Sequence, residues 1–279
     1  MNATAEVDPR ILKIQRDEIF VGYPTAKDIF DTADRLMGHE NRERPEGLAI
    51  IGETHFGKSH ILKRLQQRHP IVSDPNLEPA IPIARALVPP VADPNMLLRT
   101  MLSAVGGIAR PKDPLDENLR RLKLRSERLG VRLFLLDEFH NALLGSALKQ
   151  RELLATVRNV MSLLGRPFII AGVGELKNVL ELDPQLSNRF ATIELSRWQN
   201  GVELIAFLKG MENALGLKNP SEFFREATRS KLLSLSSGQM GNMTLTLMRA
   251  AETAIYDRSE KITERLIEKS ALGLPGSSR

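Results

Sequence analysis

The stretch from Gly52 to Ser59, GETHFGKS, constrains the fold more than any other part of the chain. It fits the pattern G-x-x-x-x-G-K-[ST], in which two glycines let successive backbone N–H groups turn toward one phosphate. The apolar run 48–51 precedes it, and the amphipathic segment 59–68 follows it. This order predicts a strand, a tight loop and a helix, and therefore an α/β domain that binds a nucleoside triphosphate.

Each position of this loop has a predicted role. Lys58 would reach the β- and γ-phosphates, and the Ser59 hydroxyl would bind Mg²⁺. The helix that follows adds the positive end of its dipole at the same place. The predicted nucleotide-binding residues here are Gly52, Glu53, Thr54, His55, Phe56, Gly57, Lys58, Ser59 and His60.

An acidic pair follows a second apolar run. Residues 133–136, LFLL, predict a buried strand that leads directly into Asp137 and Glu138. Asp137 would hold Mg²⁺ with Ser59, and Glu138 would polarise the attacking water. An Asp-Glu pair alone is more often just the solvated end of a strand, but beside the phosphate loop it predicts a catalytic site. Phosphoryl transfer also needs a cation near the developing charge, and Arg189 is the candidate.

Apolar strands alternate with helices as far as residue 198, and helices predominate beyond residue 200. This alternation predicts a parallel sheet covered on both faces, followed by a small helical domain. The further strands are predicted at 80–88, 131–136, 167–173 and 191–195, and the later helices at 201–215, 221–236, 243–257 and 263–271. The predicted organisation is a charged, poorly anchored N-terminal arm (1–18), an α/β core (19–198), a helical lid (199–272) and a flexible tail (273–279).

Composition excludes several classes of protein. The chain is 42% hydrophobic, which is too much for a disordered protein, and it has no cysteine for disulfides or Cys-based zinc sites. It has no apolar run near the roughly 18 residues of a membrane helix, and its charged N-terminus has no signal-peptide pattern. We therefore expect a cytoplasmic protein with no membrane partner. The net charge of +5 permits binding to a polyanion without requiring it.

Several segments together resemble one family, the TniB/TnsC family of AAA+ ATPases that regulate DNA transposition. The resemblance extends from about residue 20 to residue 267. Its most specific part is the string DPQLSNRF, followed shortly by LSRW. The segments that carry it are Val21–Ala26, Gly52–Ser59, Leu133–His140, Asp183–Phe190, Leu195–Trp198 and Ser237–Gly241.

The resemblance implies an AAA+ core with a helical lid, and ATP and Mg²⁺ as cofactors. It implies assembly of copies of the chain on duplex DNA as rings or helical filaments, and recruitment or activation of a DDE-type transposase. A TniQ-like targeting protein is a further candidate partner. By matched position, Tyr23 and Pro24 would lie near the adenine, and Arg189 would act on the γ-phosphate of a neighbouring subunit or of its own. Arg197 is the second choice for that arginine.

The chain departs from the family pattern at two places. Val173 stands where relatives have a Thr that senses the γ-phosphate, and Val has no hydrogen-bonding group. Gly241 and Asn242 occupy the stretch where many AAA+ proteins carry a lid arginine. We therefore expect slow hydrolysis, unless Glu175 or Asn178 compensates.

DNA contacts in such relatives come from loops after the second strand and after the next helix. The corresponding segments here are 85–95 and 106–114. The second one, GGIARPKDP, combines flexibility with two cations, which suits contact with phosphates without sequence reading. The predicted DNA-binding residues are Arg85, Arg99, Arg110 and Lys112; the alternative for the basic stretch 110–128 is a solvated helix face.

Two other functions remain open from the sequence. One is a different AAA+ activity, such as a helicase or a clamp loader. Loaders usually keep the lid arginine that is missing here, which makes this interpretation weaker. The other is a scaffold that binds ATP and DNA with little or no hydrolysis, which the loss of the sensing Thr at Val173 favours.

Overall fold

The computed structural model describes residues 8–39, 43–73, 78–110 and 112–273. Its helices and strands, in chain order, are α1 (Pro9–Gln15), α2 (Pro24–Met37), β1 (Gly47–Ile51), α3 (Lys58–Arg68), β2 (Ile83–Leu87), α4 (Pro94–Ala104), α5 (Leu115–Arg128), β3 (Leu133–Asp137), α6 (Ala147–Leu164), β4 (Phe168–Gly172), α7 (Leu176–Glu181), α8 (Pro184–Ser187), β5 (Phe190–Glu194), α9 (Val202–Leu215), α10 (Glu226–Ser236), α11 (Met240–Tyr256) and α12 (Glu264–Ala271). Two short 3₁₀ helices, Phe139–Leu143 and Glu222–Phe224, lie between them.

The five strands form one parallel sheet in the order β2-β3-β4-β1-β5. Every residue of β1, β3 and β4 is buried, because helices cover both faces of a parallel sheet. The register places Leu48 of β1 and Leu135 of β3 on either side of Ile169 in β4. All carboxyl ends of the strands therefore meet at one edge of the sheet.

The chain forms two compact units. The α/β unit comprises residues 28–54 and 58–195. The helical unit comprises the described parts of 1–27 and 196–279, together with the loop residues 55–57. Each unit has its own apolar core. In the described ranges, every helix is too short or too polar to cross a membrane.

The predicted α/β fold is confirmed, and most elements fall within two residues of their expected bounds. The second strand is shorter than the predicted 80–88, because β2 begins at Ile83, directly after Pro82. The helix expected over 221–236 is divided, since Arg225 adopts an extended conformation between the 3₁₀ turn and α10. Helices α7 and α8 have six and four residues and were not expected.

The interpretation of residues 1–18 as a poorly anchored arm is wrong for the residues that the structure describes. Asp8 caps α1, and the helix buries Ile11 and Ile14 in the core of the helical unit. Arg10 forms ion pairs with both Asp8 and Glu260. The predictions for residues 1–7 and for residues 274–279 of the tail concern positions outside the described residues.

Candidate nucleotide site

The phosphate loop starts at the carboxyl edge of the sheet. It leaves β1 at Gly52, whose N–H donates to the Gly172 carbonyl at the end of β4, 3.1 Å away. Gly57 has φ +88°, a left-handed conformation that favours glycine, and α3 begins at the next residue. The predicted strand, loop and helix are therefore present. Of the other predicted loop residues, Glu53 and Thr54 are exposed, and His60 lies in the first turn of α3.

Lys58 turns its side chain into this loop. The residue is 6% exposed, and its Nζ donates to the carbonyl oxygens of Gly52 (2.6 Å) and Glu53 (2.9 Å). Burial lowers the pKa of its ammonium group, while the charges of Glu138 and Asp137 oppose that shift. The side chain holds a buried positive charge within reach of the loop backbone, where a phosphate would lie.

Asp137 ends β3 beside Ser59. Its Oδ2 atom accepts a hydrogen bond from the Ser59 hydroxyl at 2.9 Å, and its Oδ1 accepts from the Glu138 N–H at 3.0 Å. The Asp137 residue is only 3% exposed. The structure therefore brings together the two residues that were predicted to hold a metal, 78 positions apart in the chain.

This pair of oxygen donors suits Mg²⁺. Magnesium usually takes one or two protein oxygens and completes its octahedron with phosphate oxygens and water. Among the described residues, no group of three or more His, Cys, Asp or Glu side chains could hold a metal ion by itself. The Ser59–Asp137 pair therefore fits a cation that arrives with a triphosphate and does not fit a resident protein-only metal site.

Glu138 lies one residue beyond the end of β3. Its backbone has φ +57°, which is uncommon for a residue with a side chain, and its carboxylate is more than one-third exposed. The nearest titratable neighbour is His140, whose Nδ1 is 3.3 Å from Glu138 Oε2. Backbone strain at such a position is typical of functional sites, and it separates the Glu138 carboxylate from the buried Asp137.

Arg85 contacts the site, although the sequence predicted only a DNA contact for it. It lies within strand β2 and not in the loop after it, and its Nη2 donates to Asp137 Oδ2 at 2.6 Å. The predicted contact of Arg85 with DNA stays a prediction. The signal was an arginine in the middle of the apolar strand IARAL, because a charge there needs a partner of opposite sign.

The tip of the phosphate loop, His55–Gly57, belongs to the helical unit. The Gly241 N–H donates to the His55 carbonyl at 2.7 Å, and a Cβ atom at Gly241 would lie only 2.7 Å from the same oxygen. Any side chain at Gly241 would therefore clash with the backbone of the loop. The Arg197 guanidinium lies 6.0 Å from the centre of the Phe56 ring and donates to the Ser237 carbonyl.

Tyr23 packs against Trp198 in the same helical unit, with ring centres 5.4 Å apart. Burial raises the pKa of the Tyr23 hydroxyl. Pro24 is the first residue of α2, a position where its missing N–H costs nothing. The proposed contact of Tyr23 and Pro24 with the adenine stays a prediction.

Arg189 lies at the opposite edge of the sheet. Its carbonyl accepts from the N–H of Gly47, the first residue of β1, whereas the phosphate loop follows the last residue of that strand. A five-residue strand separates these ends by about 15 Å. Arg189 donates to the Ser162 hydroxyl at 3.0 Å, while burial and the nearby Arg44 and Arg158 lower its pKa. Arg189 therefore lies on a different edge from Lys58 of the same chain.

The string DPQLSNRF also has a structural role. Asp183 caps α8 by accepting from the N–H groups of Gln185 and Leu186. Its two carboxylate oxygens also accept from Arg158 at 3.0 and 2.9 Å. This ion pair ties α6 to the turn before β5.

The loop between α4 and α5 is attached to α5 by two arginines. Arg121 donates to Asp113 at 2.7 Å, and Arg125 donates to the Val105 carbonyl at 3.0 Å. The predicted DNA residues Arg110 and Lys112 are both exposed. Arg99, in contrast, lies in the middle of α4 and is half-buried.

Val173 directly follows β4 at the carboxyl edge of the sheet. The resemblance leads us to expect at this place a Thr that senses the γ-phosphate. The Val173 side chain has no group that could form a hydrogen bond. Glu175 and Asn178, the candidates for compensation, lie at the start of α7 and within it.

A five-stranded parallel sheet with the order 2-3-4-1-5, a phosphate loop after its first strand and an acidic pair after its third defines a P-loop ATPase of the AAA+ class. A helical unit after β5 completes this architecture. Residues 10–200 match the family described as "Bacterial TniB protein". The chain therefore belongs to the TniB family. No curated protein matches the chain in sequence.

Solved structures share the fold at low sequence identity. The Aeropyrum pernix ORC1 protein in complex with DNA superposes with a TM-score of 0.65 at 17% identity, over 94% of this chain and 68% of that one. The Aeropyrum pernix ORC2 protein, solved as ADPNP-ADP complexes, gives 0.61 at 18% identity, over 96% and 72%. A Walker-type ATPase of Pyrococcus abyssi gives a TM-score of 0.58 at 17% identity, over 91% of this chain and 72% of that one.

Proposed function

We propose that this protein binds and hydrolyses Mg²⁺-ATP, and that ATP binding assembles copies of it on duplex DNA. In this role it regulates DNA transposition by recruiting or activating a DDE-type transposase. The observation that carries the proposal is the grouping of Lys58, Ser59 and Asp137 at one edge of the sheet, in a chain of the TniB family.

The nucleotide site follows from these side chains. Lys58 would exchange its two neutral loop carbonyls for anionic phosphate oxygens, which is favourable because two opposite charges attract more strongly than a charge and a neutral dipole. Ser59 and Asp137 would hold Mg²⁺, which supplies charge neutralisation at the phosphates. Glu138, with its exposed carboxylate, would orient and polarise the attacking water.

The position of Arg189 supports a role between subunits. It lies at the amino edge of the sheet, so it would meet the γ-phosphate of a neighbouring copy and not that of its own chain. Its Nε is buried without a hydrogen-bond partner among the described residues, and the charges of Arg44 and Arg158 act on it together with that of Asp183. A phosphate from a neighbour would add negative charge and a hydrogen-bond acceptor. Arg197 contacts the loop tip of its own chain, which makes it the weaker choice.

The proposed DNA contact is the loop that carries Arg110 and Lys112. Asp113 and Glu117 neutralise Arg121 in the basic stretch that follows, so the two exposed loop cations are better placed for DNA phosphates. Arg99 is retained as a weaker candidate because half of its side chain is buried. Binding of this kind reads no sequence, so target choice would rest on a partner such as a TniQ-like protein.

A scaffold that binds ATP without hydrolysing it is the second candidate. Val173 favours it, because this position at the end of β4 lacks the hydroxyl that would contact the γ-phosphate. Such a protein would still assemble on DNA with ATP, and only its turnover would differ.

Phosphate release with and without duplex DNA separates the two candidates. The wild-type protein should release phosphate, and Glu138→Gln should lower the rate by about 100-fold or more while ATP binding persists. Glu181→Gln is a matched control, since it neutralises an exposed carboxylate of the same unit. A wild-type rate at background that Glu138→Gln does not change would favour the scaffold. Directional DNA unwinding would instead support a helicase.

A further inference from the structure

The Asp137 carboxylate has two donors on the same oxygen atom. The Ser59 hydroxyl lies 2.9 Å from Oδ2, and the Arg85 Nη2 lies 2.6 Å from it. Asp137 is almost fully buried, and Arg85 keeps about one-quarter of its side chain exposed. This guanidinium is not part of the phosphate loop or of the acidic pair, and the proposed function assigns no role to it.

A buried carboxylate needs a compensating charge, and here Arg85 supplies it. The Mg²⁺ that would bind with ATP needs oxygen atoms of Asp137 and Ser59 as ligands, and Arg85 already lies on the Asp137 oxygen. A guanidinium and a divalent cation that lie on one carboxylate oxygen repel each other strongly, because little water screens them there. The two cations therefore compete for Asp137.

We propose that Arg85 is a built-in counter-ion of Asp137 that competes with Mg²⁺ and thereby sets the Mg²⁺ concentration at which the protein takes up Mg²⁺-nucleotide. The inference rests on the proposed function, since it concerns the same metal site. Arg85 acts here as a positioning residue on Asp137, and no contact with substrate is assigned to it.

The length of the side chain permits this exchange. Arg85 projects from the middle of β2, and its partly exposed guanidinium can leave Asp137 by rotation of its own side chain without moving the strand. The strand itself is held by five paired positions along β3, so the backbone at Arg85 stays fixed. Mg²⁺ binding would release the guanidinium, and loss of Mg²⁺ would return it.

The test is the Mg²⁺ dependence of binding of a non-hydrolysable ATP analogue, measured by titration calorimetry at constant ionic strength. Arg85→Gln removes the charge and keeps a side chain of similar shape. The Mg²⁺ concentration at half-saturation should fall by about threefold to tenfold, because one competing cation is gone. A midpoint that is unchanged or higher would overturn the inference.

Two further variants keep this test decisive. Arg68→Gln removes an arginine of the same unit that pairs with Asp34 away from the site, and it should leave the midpoint unchanged. Arg85→Lys keeps the charge, and it can be measured if Arg85→Gln does not fold. Its shorter reach weakens the pair with Asp137, so its midpoint should fall by about twofold, and an unchanged midpoint would again overturn the inference.

The wild-type titration separates this inference from the proposed function. A wild-type protein that binds no ATP analogue at any Mg²⁺ concentration would overturn both. A wild-type protein that binds the analogue, with midpoints that do not move in the Arg85 variants, would overturn the role of Arg85 alone.

Discussion

Both units bury charged side chains, but in different settings. In the α/β unit, Lys58 and Asp137 lie at the carboxyl edge of the sheet. In the helical unit, Glu260 lies after α11 and pairs with Arg10 of α1. Asp137 has Ser59 and Arg85 as side-chain donors, and both are partly open to solvent. In the proposed exchange, Mg²⁺ would take the place of Arg85 on Asp137. We therefore expect the buried charge at the sheet edge to serve in binding.

In the helical unit, Arg10 and Lys218 both supply donors to Glu260. Arg10 binds Glu260 through two nitrogens at 2.8 and 2.9 Å, and it also donates to Asp8 and to the Gly216 carbonyl. The same hydrogen bonds hold the pKa of Glu260 and of Asp8 down to about 2. This network fixes the fold and leaves Arg10 few donors for a ligand. From this comparison we expect a buried charge to mark a site only where a ligand can replace its partner.

The largest expected effect is at the sheet edge. Lys58→Ala should weaken ATP binding by about 100-fold, because a buried charge-assisted hydrogen bond to phosphate is lost. Titration calorimetry measures the affinity, and electron microscopy with ATP and duplex DNA should show no assemblies. Lys63→Ala, on the same helix, is the control. Tight ATP binding by Lys58→Ala would show that the buried charge of Lys58, like that of Glu260, has no role in binding.

The next effect is in the helical unit. Arg10→Ala should lower the free energy of unfolding by about 2 kcal/mol, because Glu260 is left buried without its main partner. Chemical denaturation followed by circular dichroism measures this change. Nucleotide affinity should stay at the wild-type value. A loss of ATP binding without a loss of stability would show that the Arg10 network is itself part of a site.

A smaller effect is expected for the exposed cations of the α4–α5 loop. Arg110→Ala combined with Lys112→Ala should weaken DNA binding by about tenfold, and the slope of log affinity against log salt should fall by about 2. Fluorescence anisotropy with a labelled duplex at several salt concentrations measures both. Lys209→Ala with Lys261→Ala removes two charges from the helical unit as a control. An unchanged salt slope would place the DNA contact elsewhere.

The smallest effect concerns pH. The folded pKa of Glu260 is about 2, and its ordinary value is 4.5, so the unfolded chain binds more protons between these values. The stability from the Arg10–Glu260 pair is therefore complete above about pH 5 and is lost as the pH falls toward 2. The difference in melting temperature between wild type and Arg10→Ala should shrink over this range. A difference that grows on acidification would contradict the assignment.

Local patterns in the sequence predicted the strands, most helices and the phosphate loop, because apolar periodicity and glycine spacing act over a few residues. They also predicted the separate chemical roles of Asp137 and Glu138. The same reasoning misread residues 8–18, since the charges of α1 concealed Ile11 and Ile14. It also assigned Arg85 to a DNA-contacting segment and gave it no contact with Asp137, because no local pattern links two strands.

By itself, then, the sequence determined that this chain has a phosphate loop in an α/β domain, with an acidic pair at the end of a buried strand. Only the tertiary structure decided that Arg85 meets Asp137 and that Arg189 lies at the far edge of the sheet. The physical reason is that these relations depend on the order of strands. That order is set by packing between residues far apart in the chain, and no local pattern records it.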